Sequence, residues 1–257
     1  MFVQSSDFVD RRREELHDED TKDLMVYGGE KDIETVKLAR MNLAVNGLRG
    51  QIIQANAYYE DPFNSFGKFD YVMANPPFNV DDVNYDRVKD DKRFNTYGIP
   101  KNKTKPNSKK KTAVNSVPNA NYLWINLFAT SLKPTGRAAL VMANSASDAR
   151  NSEADIRQTL IKSGVIDCML TLPKNMFYTV TLPATLWFFD KNKANSSPSG
   201  RPGGDILFID ARNIFRQVTR ALREFTDEHI QNIATIVRLY RGETKRLQQL
   251  LNKYQKQ

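Results

Sequence analysis

Short apolar segments alternate with helical segments along most of the chain, and this alternation restricts the possible folds more than any other feature. Strands are predicted at residues 24–29, 51–54, 69–74, 138–142, 165–170, 185–190 and 206–210. Helices are predicted at residues 1–17, 32–46, 122–132 and 153–163, and from residue 226 to the end. This order is typical of a mostly parallel, doubly wound α/β sheet. Ligands bind such sheets beyond the carboxyl ends of the strands, so residues that follow strands are the first site candidates.

The composition excludes several classes of protein. No apolar run reaches the roughly 18 residues that a membrane-spanning helix requires, and the N-terminus lacks the pattern of a secretory signal. These features predict a cytoplasmic chain. The single cysteine, Cys168, excludes a disulfide framework and a multi-cysteine zinc site within the chain, and its apolar neighbours predict a buried side chain. No metal site is predicted, and the formal net charge of +8 favours a polyanionic partner without identifying it.

The tetrad Asn75-Pro76-Pro77-Phe78 directly follows the predicted strand at residues 69–74. An exocyclic amine of a nucleobase is a poor nucleophile because its lone pair is delocalised into the ring. An enzyme that methylates this amine must accept hydrogen bonds from it, and Asn75 and Pro76 each offer a carbonyl oxygen. Pro77 stiffens the turn, and Phe78 offers a flat face for a flipped base. The tetrad therefore predicts amine methylation, in which positioning and directed hydrogen bonds supply most of the rate.

A purely structural interpretation of the tetrad is a proline-rich turn in which Phe78 is buried. Four residues recur by chance in unrelated sequences, so the tetrad alone carries moderate weight. We favour the functional interpretation because the tetrad lies at the end of a strand, where a ligand is expected.

Two polar residues follow the first two predicted strands. Glu30 comes directly after residues 24–29, where an acidic side chain can bind the ribose hydroxyls of a nucleotide cofactor. A glutamate that interacts with the dipole of the next helix is an equally good interpretation. Asn56 follows residues 51–54 and could face the adenine of a cofactor, although an asparagine in a turn is the simpler interpretation.

Residues 79–118 are rich in Asp, Asn, Lys and Pro, which predicts a long loop or insertion. Its basic run could follow a phosphate backbone or belong to a solvated loop, and it comprises Lys101, Lys103, Lys105, Lys109, Lys110 and Lys111. Residues 192–204 have the Ser, Pro and Gly content of a linker. The predicted organisation is a catalytic domain over residues 1–191 and a strand with a helical extension over residues 205–257.

Several further motifs are those of one family. They are Tyr-Gly-Gly-Glu at 27–30, Leu-Ala-Arg-Met-Asn-Leu at 38–43, Phe-Asp-Tyr-Val-Met-Ala-Asn-Pro-Pro-Phe-Asn at 69–79, Gly-Arg-Ala-Ala-Leu-Val-Met at 136–142, Leu-Pro-Lys-Asn-Met-Phe-Tyr at 172–178 and Leu-Trp-Phe-Phe at 186–189. On these residues, over nearly its whole length, the chain resembles the modification subunit of type I restriction–modification systems, an adenine-specific DNA methyltransferase. The resemblance implies a Rossmann-like sheet that binds S-adenosylmethionine.

The resemblance also implies roles for individual residues. Glu30 would bind the ribose of S-adenosylmethionine, and Asn56 would lie near its adenine. Asn75, Pro76 and Phe78 would hold the target adenine of DNA. In this family a separate specificity subunit selects the DNA sequence and a restriction subunit cleaves it, so these two subunits and DNA are the expected partners.

The sequence departs from the family at its beginning. The glycine-rich cofactor loop, the strand before it and the N-terminal helical domain have no counterpart, and in the family a segment like residues 1–5 directly follows that loop. The expected fold is therefore a methyltransferase sheet without its first strand, which leaves backbone groups on two neighbouring strands unpaired. We expect the chain alone to bind S-adenosylmethionine poorly and to be inactive.

Two other functions remain open at this point. Related tetrads serve methyltransferases that act on an amine or amide of RNA or protein. A non-catalytic remnant that binds only partner subunits or DNA is the second alternative, and the absent glycine loop favours it.

Overall fold

The computed structural model describes residues 1–16, 23–101, 115–177, 181–193 and 205–255. The chain divides into two compact units, Met1–Ser65 and Phe66–Gln257, and each is described by itself. Within the described ranges, no helix is both long enough and apolar enough to cross a bilayer.

The first unit contains two parallel strands and two helices. Its elements are α1 (Phe2–Leu16), β1 (Met25–Glu30), α2 (Ile33–Val45) and β2 (Arg49–Gln54). β1 pairs with β2 in parallel, and α2 connects the two strands. Helix α2 begins after Asp32, because the Asp32 carboxylate accepts a hydrogen bond from the Thr35 N–H at 2.8 Å. This is the βαβ arrangement that the alternating sequence predicts.

The first unit has a small core. The two strands approach closely at Gly50, where a Cβ atom would lie 2.3 Å from Val26 Cγ2 and 2.7 Å from the Val26 carbonyl oxygen. Only glycine fits this position without moving β1. The buried residues of this core are Val26, Val36, Leu43 and Ile52.

The second unit is built on a five-stranded sheet in the order β3-β6-β8-β7-β9. Four of these strands run in one direction, and β8 is antiparallel to both of its neighbours. The elements of the unit are β3 (Phe69–Ala74), β4 (Val83–Asn84), α3 (Tyr85–Val88), α4 (Lys92–Asn95), β5 (Ser116–Val117), α5 (Asn121–Ser131), β6 (Leu132–Ala143), α6 (Asn144–Ser147), α7 (Ser152–Lys162), β7 (Ile166–Thr171), β8 (Ala184–Asp190), β9 (Leu207–Asp210), β10 (Arg216–Thr219), β11 (Leu222–Glu224), α8 (Asp227–Tyr240) and α9 (Lys245–Tyr254).

The main core lies against this sheet. Trp187 in β8 and Tyr122 in α5 are fully buried, with their rings in an edge-on arrangement and their centroids 6.4 Å apart. The Tyr122 hydroxyl donates a hydrogen bond to the Ala146 carbonyl oxygen at 2.7 Å, so its polar end is satisfied inside the core. Other buried members of the cluster are Ile125, Leu132, Leu140, Met142, Ile156, Leu160, Ile166 and Phe189.

Cys168 is buried in β7, as its apolar neighbours predict. Its side chain is 1% exposed. Burial, with a smaller contribution from the neighbouring Asp167 carboxylate, raises the pKa of the Cys168 thiol to about 12.

The structure confirms the mixed α/β class with a mostly parallel central sheet. All seven predicted strands and the predicted helices are present, with bounds that differ by a few residues. The largest difference in length is β6, Leu132–Ala143, which begins directly after α5. The sequence did not predict that β8 runs opposite to its neighbours, since periodicity carries no information about strand direction.

Residues 79–118, predicted as a long loop or insertion, carry short elements where they are described. Phe94 in α4 is fully buried, and α4 packs on α5. The buried Asn126 side chain donates to the carbonyl oxygens of Phe94 and Gly98, at 2.6 and 2.7 Å. The Asn126 amide thus holds residues 94–98 in place. The composition of residues 79–118 does not predict these contacts.

The C-terminal part contains a hairpin that the sequence analysis missed. β10 and β11 pair in antiparallel fashion, but the residues of β10 are all exposed, so the strand lacks an apolar alternation. The predicted C-terminal helical region forms α8 and α9. Thr226 and His229 form a reciprocal capping box at the start of α8. Most of the predicted linker, residues 194–204, lies outside the described residues, and the predicted boundaries of the two domains stay a prediction.

Candidate active site

Strand β3 delivers the tetrad to the carboxyl end of the five-stranded sheet. β3 pairs in parallel with β6, with Ala74 opposite Leu140. Its side chains alternate, so Val72 packs against the main core while Tyr71 is 72% exposed. The chain leaves the sheet directly after Ala74, so residue 75 begins a turn at the strand end, where α/β sheets bind their ligands.

The four residues of the tetrad differ in burial. Pro76 is buried, Phe78 is half-buried, and Asn75 and Pro77 are exposed. In the described part of the chain, no side chain or backbone group is hydrogen-bonded to the Asn75 side chain. The buried proline holds the backbone while the amide and part of the aromatic ring face outward. The turn therefore presents the Asn75 amide and part of the Phe78 ring.

The residue after the tetrad is held by a network of amides. Asn79 has a φ of 55°, a left-handed conformation that asparagine tolerates better than most residues. Its N–H donates to Asn121 Oδ1 at 2.9 Å. Its Oδ1 accepts hydrogen bonds from Asn121 Nδ2 at 2.9 Å, Asn119 Nδ2 at 3.1 Å and the Ser145 hydroxyl at 3.3 Å. We call these four residues, Asn79, Asn119, Asn121 and Ser145, the amide clamp.

The amide clamp joins three segments at the tetrad. Asn121, only 2% exposed, lies at the start of α5, and its N–H donates to Asn119 Oδ1 at 2.8 Å. Ser145 follows β6, the strand beside β3. The turn after β3 is therefore tied to α5 and to the end of β6, which restricts where Asn75 and Phe78 can lie.

The sequence analysis did not identify the amide clamp. Its partners lie 40, 42 and 66 residues from Asn79, so no local spacing marks them. The one signal in the sequence is the cluster of asparagines at residues 115–121, just before a strongly apolar helix.

In the first unit, Glu30 is the last residue of β1 and is half-buried. Its Oε1 accepts a hydrogen bond from the Asp32 N–H at 2.9 Å, and its carbonyl oxygen accepts one from the Ala55 N–H. The helix-capping function belongs to Asp32, so Glu30 is not needed as the cap of α2. A fixed carboxylate at the carboxyl end of a parallel strand can accept hydrogen bonds from the two hydroxyl groups of a ribose.

Asn56 has the geometry of a local turn. Its Oδ1 accepts a hydrogen bond from the Tyr58 N–H at 3.1 Å, and its own N–H donates to the Glu60 carboxylate. This is an Asx-turn, the simpler of the two interpretations of this residue. The Tyr58 N–H engages the side-chain oxygen, and the side-chain NH2 group remains a hydrogen-bond donor.

Of the six candidate lysines, only Lys101 belongs to the described residues. Its side chain is exposed, and its backbone N–H donates to the Ser152 hydroxyl at 3.2 Å. The remaining five, Lys103, Lys105, Lys109, Lys110 and Lys111, lie outside the described residues.

Comparison with known proteins identifies a family. Residues 1–251 match the N-6 DNA Methylase family. The chain is 35% identical over 221 residues to the type I restriction enzyme MjaIX methylase subunit of Methanocaldococcus jannaschii, an alignment that covers 86% of this chain and 37% of the relative. It is 34% identical over 235 residues to the HindI methylase subunit of Haemophilus influenzae, covering 91% of this chain and 47% of the relative. The chain thus spans less than half the length of these two relatives.

Solved structures show the same fold. The methyltransferase subunit of a type I restriction–modification system from Streptococcus thermophilus superposes with a TM-score of 0.69 at 26% identity, over 83% of this chain and 42% of that one. The EcoKI M protein superposes with a TM-score of 0.61 at 22% identity, over 90% of this chain and 46% of that one, which is a likeness of fold. With a family match over residues 1–251, the chain belongs to the N-6 DNA Methylase family.

Proposed function

We propose that this chain is the catalytic part of a type I modification subunit, which methylates the N6 amine of adenine in DNA. The observation that carries the proposal is the turn after β3, where Asn75 and Phe78 are presented outward on a backbone held by Pro76 and the amide clamp. The fold class and the family membership support the same reaction.

The residues of the tetrad would act by positioning the target base. The N6 amine donates one hydrogen bond to Asn75 Oδ1 and one to the Pro76 carbonyl oxygen, which turns its nitrogen lone pair out of conjugation with the ring. Phe78 stacks on the base after it has left the duplex. The nitrogen would then bond to the methyl carbon that S-adenosylmethionine supplies, while the bond from that carbon to sulfur breaks and leaves its electron pair on sulfur. The proton that the nitrogen loses would pass to solvent. No side chain with an unusual pKa is required, since orientation and directed hydrogen bonds supply the acceleration.

S-adenosylmethionine would supply an electrophilic methyl group when bound. Glu30 fits a role at its ribose, because its carboxylate is fixed at the end of β1 by the Asp32 N–H. Asn56 fits less well, since its side-chain oxygen is engaged by the Tyr58 N–H. We assign ribose binding to Glu30, and contact with the cofactor's adenine to the Asn56 NH2 group.

The proposed partners follow from the family. The named relatives are methylase subunits of type I restriction enzymes, which fits a chain that works with a specificity subunit and a restriction subunit on DNA. The lysines at 101–111 are proposed to contact the phosphate backbone, and the cytoplasm is the proposed location.

A methyl-transfer assay with tritiated S-adenosylmethionine tests the proposal. The chain is assayed with DNA, tRNA and protein as acceptors, alone and together with a type I specificity subunit. We expect the chain alone to transfer little label, and we expect label in DNA adenine once a glycine-rich cofactor loop is fused before residue 1, a form called here the loop-fused chain. In the loop-fused chain, Asn75→Ala should lower the rate by at least about a hundredfold while calorimetry detects unchanged cofactor binding.

Preferential labelling of tRNA or protein would replace the proposal with the corresponding alternative. Binding of DNA by the loop-fused chain without transfer to any acceptor would support the non-catalytic remnant. Full activity in Asn75→Ala would remove the role given to the tetrad. Asn46→Ala, at the end of α2, is the matched control for loss of an exposed asparagine.

A further inference from the structure

A basic cleft lies in the second unit beyond the carboxyl end of β7. It has a volume of about 270 Å³. Its charged lining residues are all cations, namely Lys174, Arg212 and Arg223. Two amides, those of Asn144 and Asn213, add neutral hydrogen-bonding groups. None of these five residues was a site candidate from the sequence.

The two arginines of the cleft are held in place by neighbouring side chains. Arg212 forms a two-pronged ion pair with Asp210, at 2.8 and 2.7 Å, which lowers the pKa of the Asp210 carboxyl to about 2. Arg223 donates to Gln217 Oε1 at 3.0 Å, and its guanidinium lies 3.9 Å from the centre of the Phe215 ring. Fixed cations lose little conformational entropy when they bind an anion.

Charge distinguishes this cleft from the cavity beside it. The neighbouring cavity of about 360 Å³ shares Asn144 and Arg212 but is also lined by Asp148 and Asp210. Asp210 neutralises Arg212, which lines both cavities. The remaining positive charge, from Lys174 and Arg223, therefore lies in the basic cleft. An anion is therefore drawn to the first cavity rather than to the second.

The cleft adjoins the segment that holds the tetrad. Asn144 lines the cleft and accepts a hydrogen bond from the Thr185 hydroxyl at 2.6 Å. The next residue, Ser145, donates to Asn79 in the amide clamp. One peptide unit thus separates a group that lines the cleft from a group that positions the turn after β3. An anion in the cleft would therefore contact the residue next to Ser145, which holds Asn79.

We propose that this cleft binds a backbone phosphate of the DNA strand that carries the target base. The inference rests on the proposed function, because that function requires a nucleotide to leave the stack while its flanking backbone is held. Phosphate contacts fix the register of a strand without reading its sequence, which suits a subunit that does not select the site. Lys174 and Arg223 donate to the phosphate oxygens, and Asn144 couples the bound strand to the amide clamp.

The salt dependence of DNA binding tests the inference. Binding of a labelled duplex to the 257-residue chain is measured by fluorescence anisotropy between about 50 and 200 mM KCl. We expect Lys174→Gln to reduce the slope of log K against log salt by about 1, and Lys174→Gln combined with Arg223→Gln by about 2. Arg212 is left intact because its removal would release the Asp210 carboxylate.

Lys162→Gln is the matched control. Lys162 is exposed at the end of α7 and precedes the amino end of β7, so it lies at the edge of the sheet opposite the cleft. We expect its slope to equal that of the unchanged chain. Equal slope losses in Lys162→Gln and Lys174→Gln would overturn the inference, as would unchanged slopes in both cleft variants.

Measurements with inorganic phosphate and with RNA test two alternative ligands of the cleft. If inorganic phosphate binds and Lys174→Gln abolishes this without changing the DNA slope, the cleft is a site for a small anion and the inference fails. If the slope changes only with RNA, it also fails. A cleft effect on DNA without methyl transfer by the loop-fused chain would retain the cleft and remove the proposed function, so the two ideas can fail separately.

Discussion

The turn after β3 and the turns of the first unit differ in the distance along the chain to their hydrogen-bond partners. Asn79, directly after the tetrad, is held by side chains 40, 42 and 66 residues away. The side-chain oxygens of Glu30 and Asn56 each accept from an N–H only two residues away. The turn after β3 therefore depends on the folded second unit, whereas the candidate cofactor residues are oriented by their immediate sequence.

The second unit also has the larger buried core. Trp187 and Tyr122 belong to a large buried cluster in the second unit, while the core of the first unit consists of four buried aliphatic residues. On α2, Leu38 and Val45 are 66% and 84% exposed. We therefore expect loss of packing in the core of the second unit to displace the tetrad more than loss of packing in the first unit displaces Glu30 and Asn56.

The largest expected effect comes from the core of the second unit. Trp187→Ala removes the largest fully buried side chain and should lower the free energy of unfolding by about 3–5 kcal/mol. Ile52→Ala in the first unit is the comparison and should cost about 2 kcal/mol, because its small core can relax. Urea unfolding followed by far-UV circular dichroism measures both. A greater loss for Ile52→Ala would reverse the contrast between the two units.

A smaller effect is expected from the amide clamp. Asn121→Ala removes the two hydrogen bonds between the Asn121 side chain and Asn79, and it should lower the free energy of unfolding by about 1–3 kcal/mol. Asn56→Ala, which removes a local turn bond, should cost less than about 1 kcal/mol. Thermal unfolding gives the stabilities, and methyl transfer by the loop-fused chain should fall in Asn121→Ala even where that chain is folded. Normal activity in a folded Asn121→Ala chain would show that the clamp does not position the tetrad.

Alkaline pH should destabilise the second unit through Tyr122. Burial raises the pKa of Tyr122 to about 12 from an ordinary value of 10. The neutral phenol is favoured in the folded state, so its contribution is complete below pH 10 and is lost as the pH rises towards 12. Tyr122→Phe should shift the alkaline unfolding transition to higher pH in near-UV circular dichroism. Tyr254→Phe, at an exposed position, should leave the transition where it is.

The smallest effect is expected at the start of α2. Hydrogen bonds from Thr35 lower the pKa of Asp32 below 3.8, so its capping contribution is present above that pH and disappears on acidification. Asp32→Ala should therefore reduce the helical signal at neutral pH by a small amount, and the two chains should converge only below the lowered pKa of Asp32. A difference that persists in acid would show that the charge of Asp32 is not responsible.

Features set by short-range pattern were accessible from the sequence. The strand at 69–74, the turn at 75–78 and the helix start near residue 32 follow from apolar periodicity and capping chemistry. The acidic residue at the end of β1 was accessible for the same reason, because strand ends are visible in the sequence.

Long-range features were not accessible. The amide clamp joins Asn79 to Asn121 and Ser145, and the basic cleft joins Lys174 to Arg223, through pairings that depend on the folded sheet. The reversal of β8 and the polar hairpin β10–β11 likewise leave no periodic signal.

The alkylation rate of Cys168 can report how often the second unit opens. Cys168 is the one cysteine in the sequence, it lies within the central sheet, and its thiol has a pKa of about 12. Alkylating reagents attack the thiolate, so the folded sheet should be almost inert at neutral pH. The rate of labelling then measures how often the sheet opens around β7, with no signal from Met1–Ser65. A mass spectrum taken over time would follow the opening of this unit without any engineered probe.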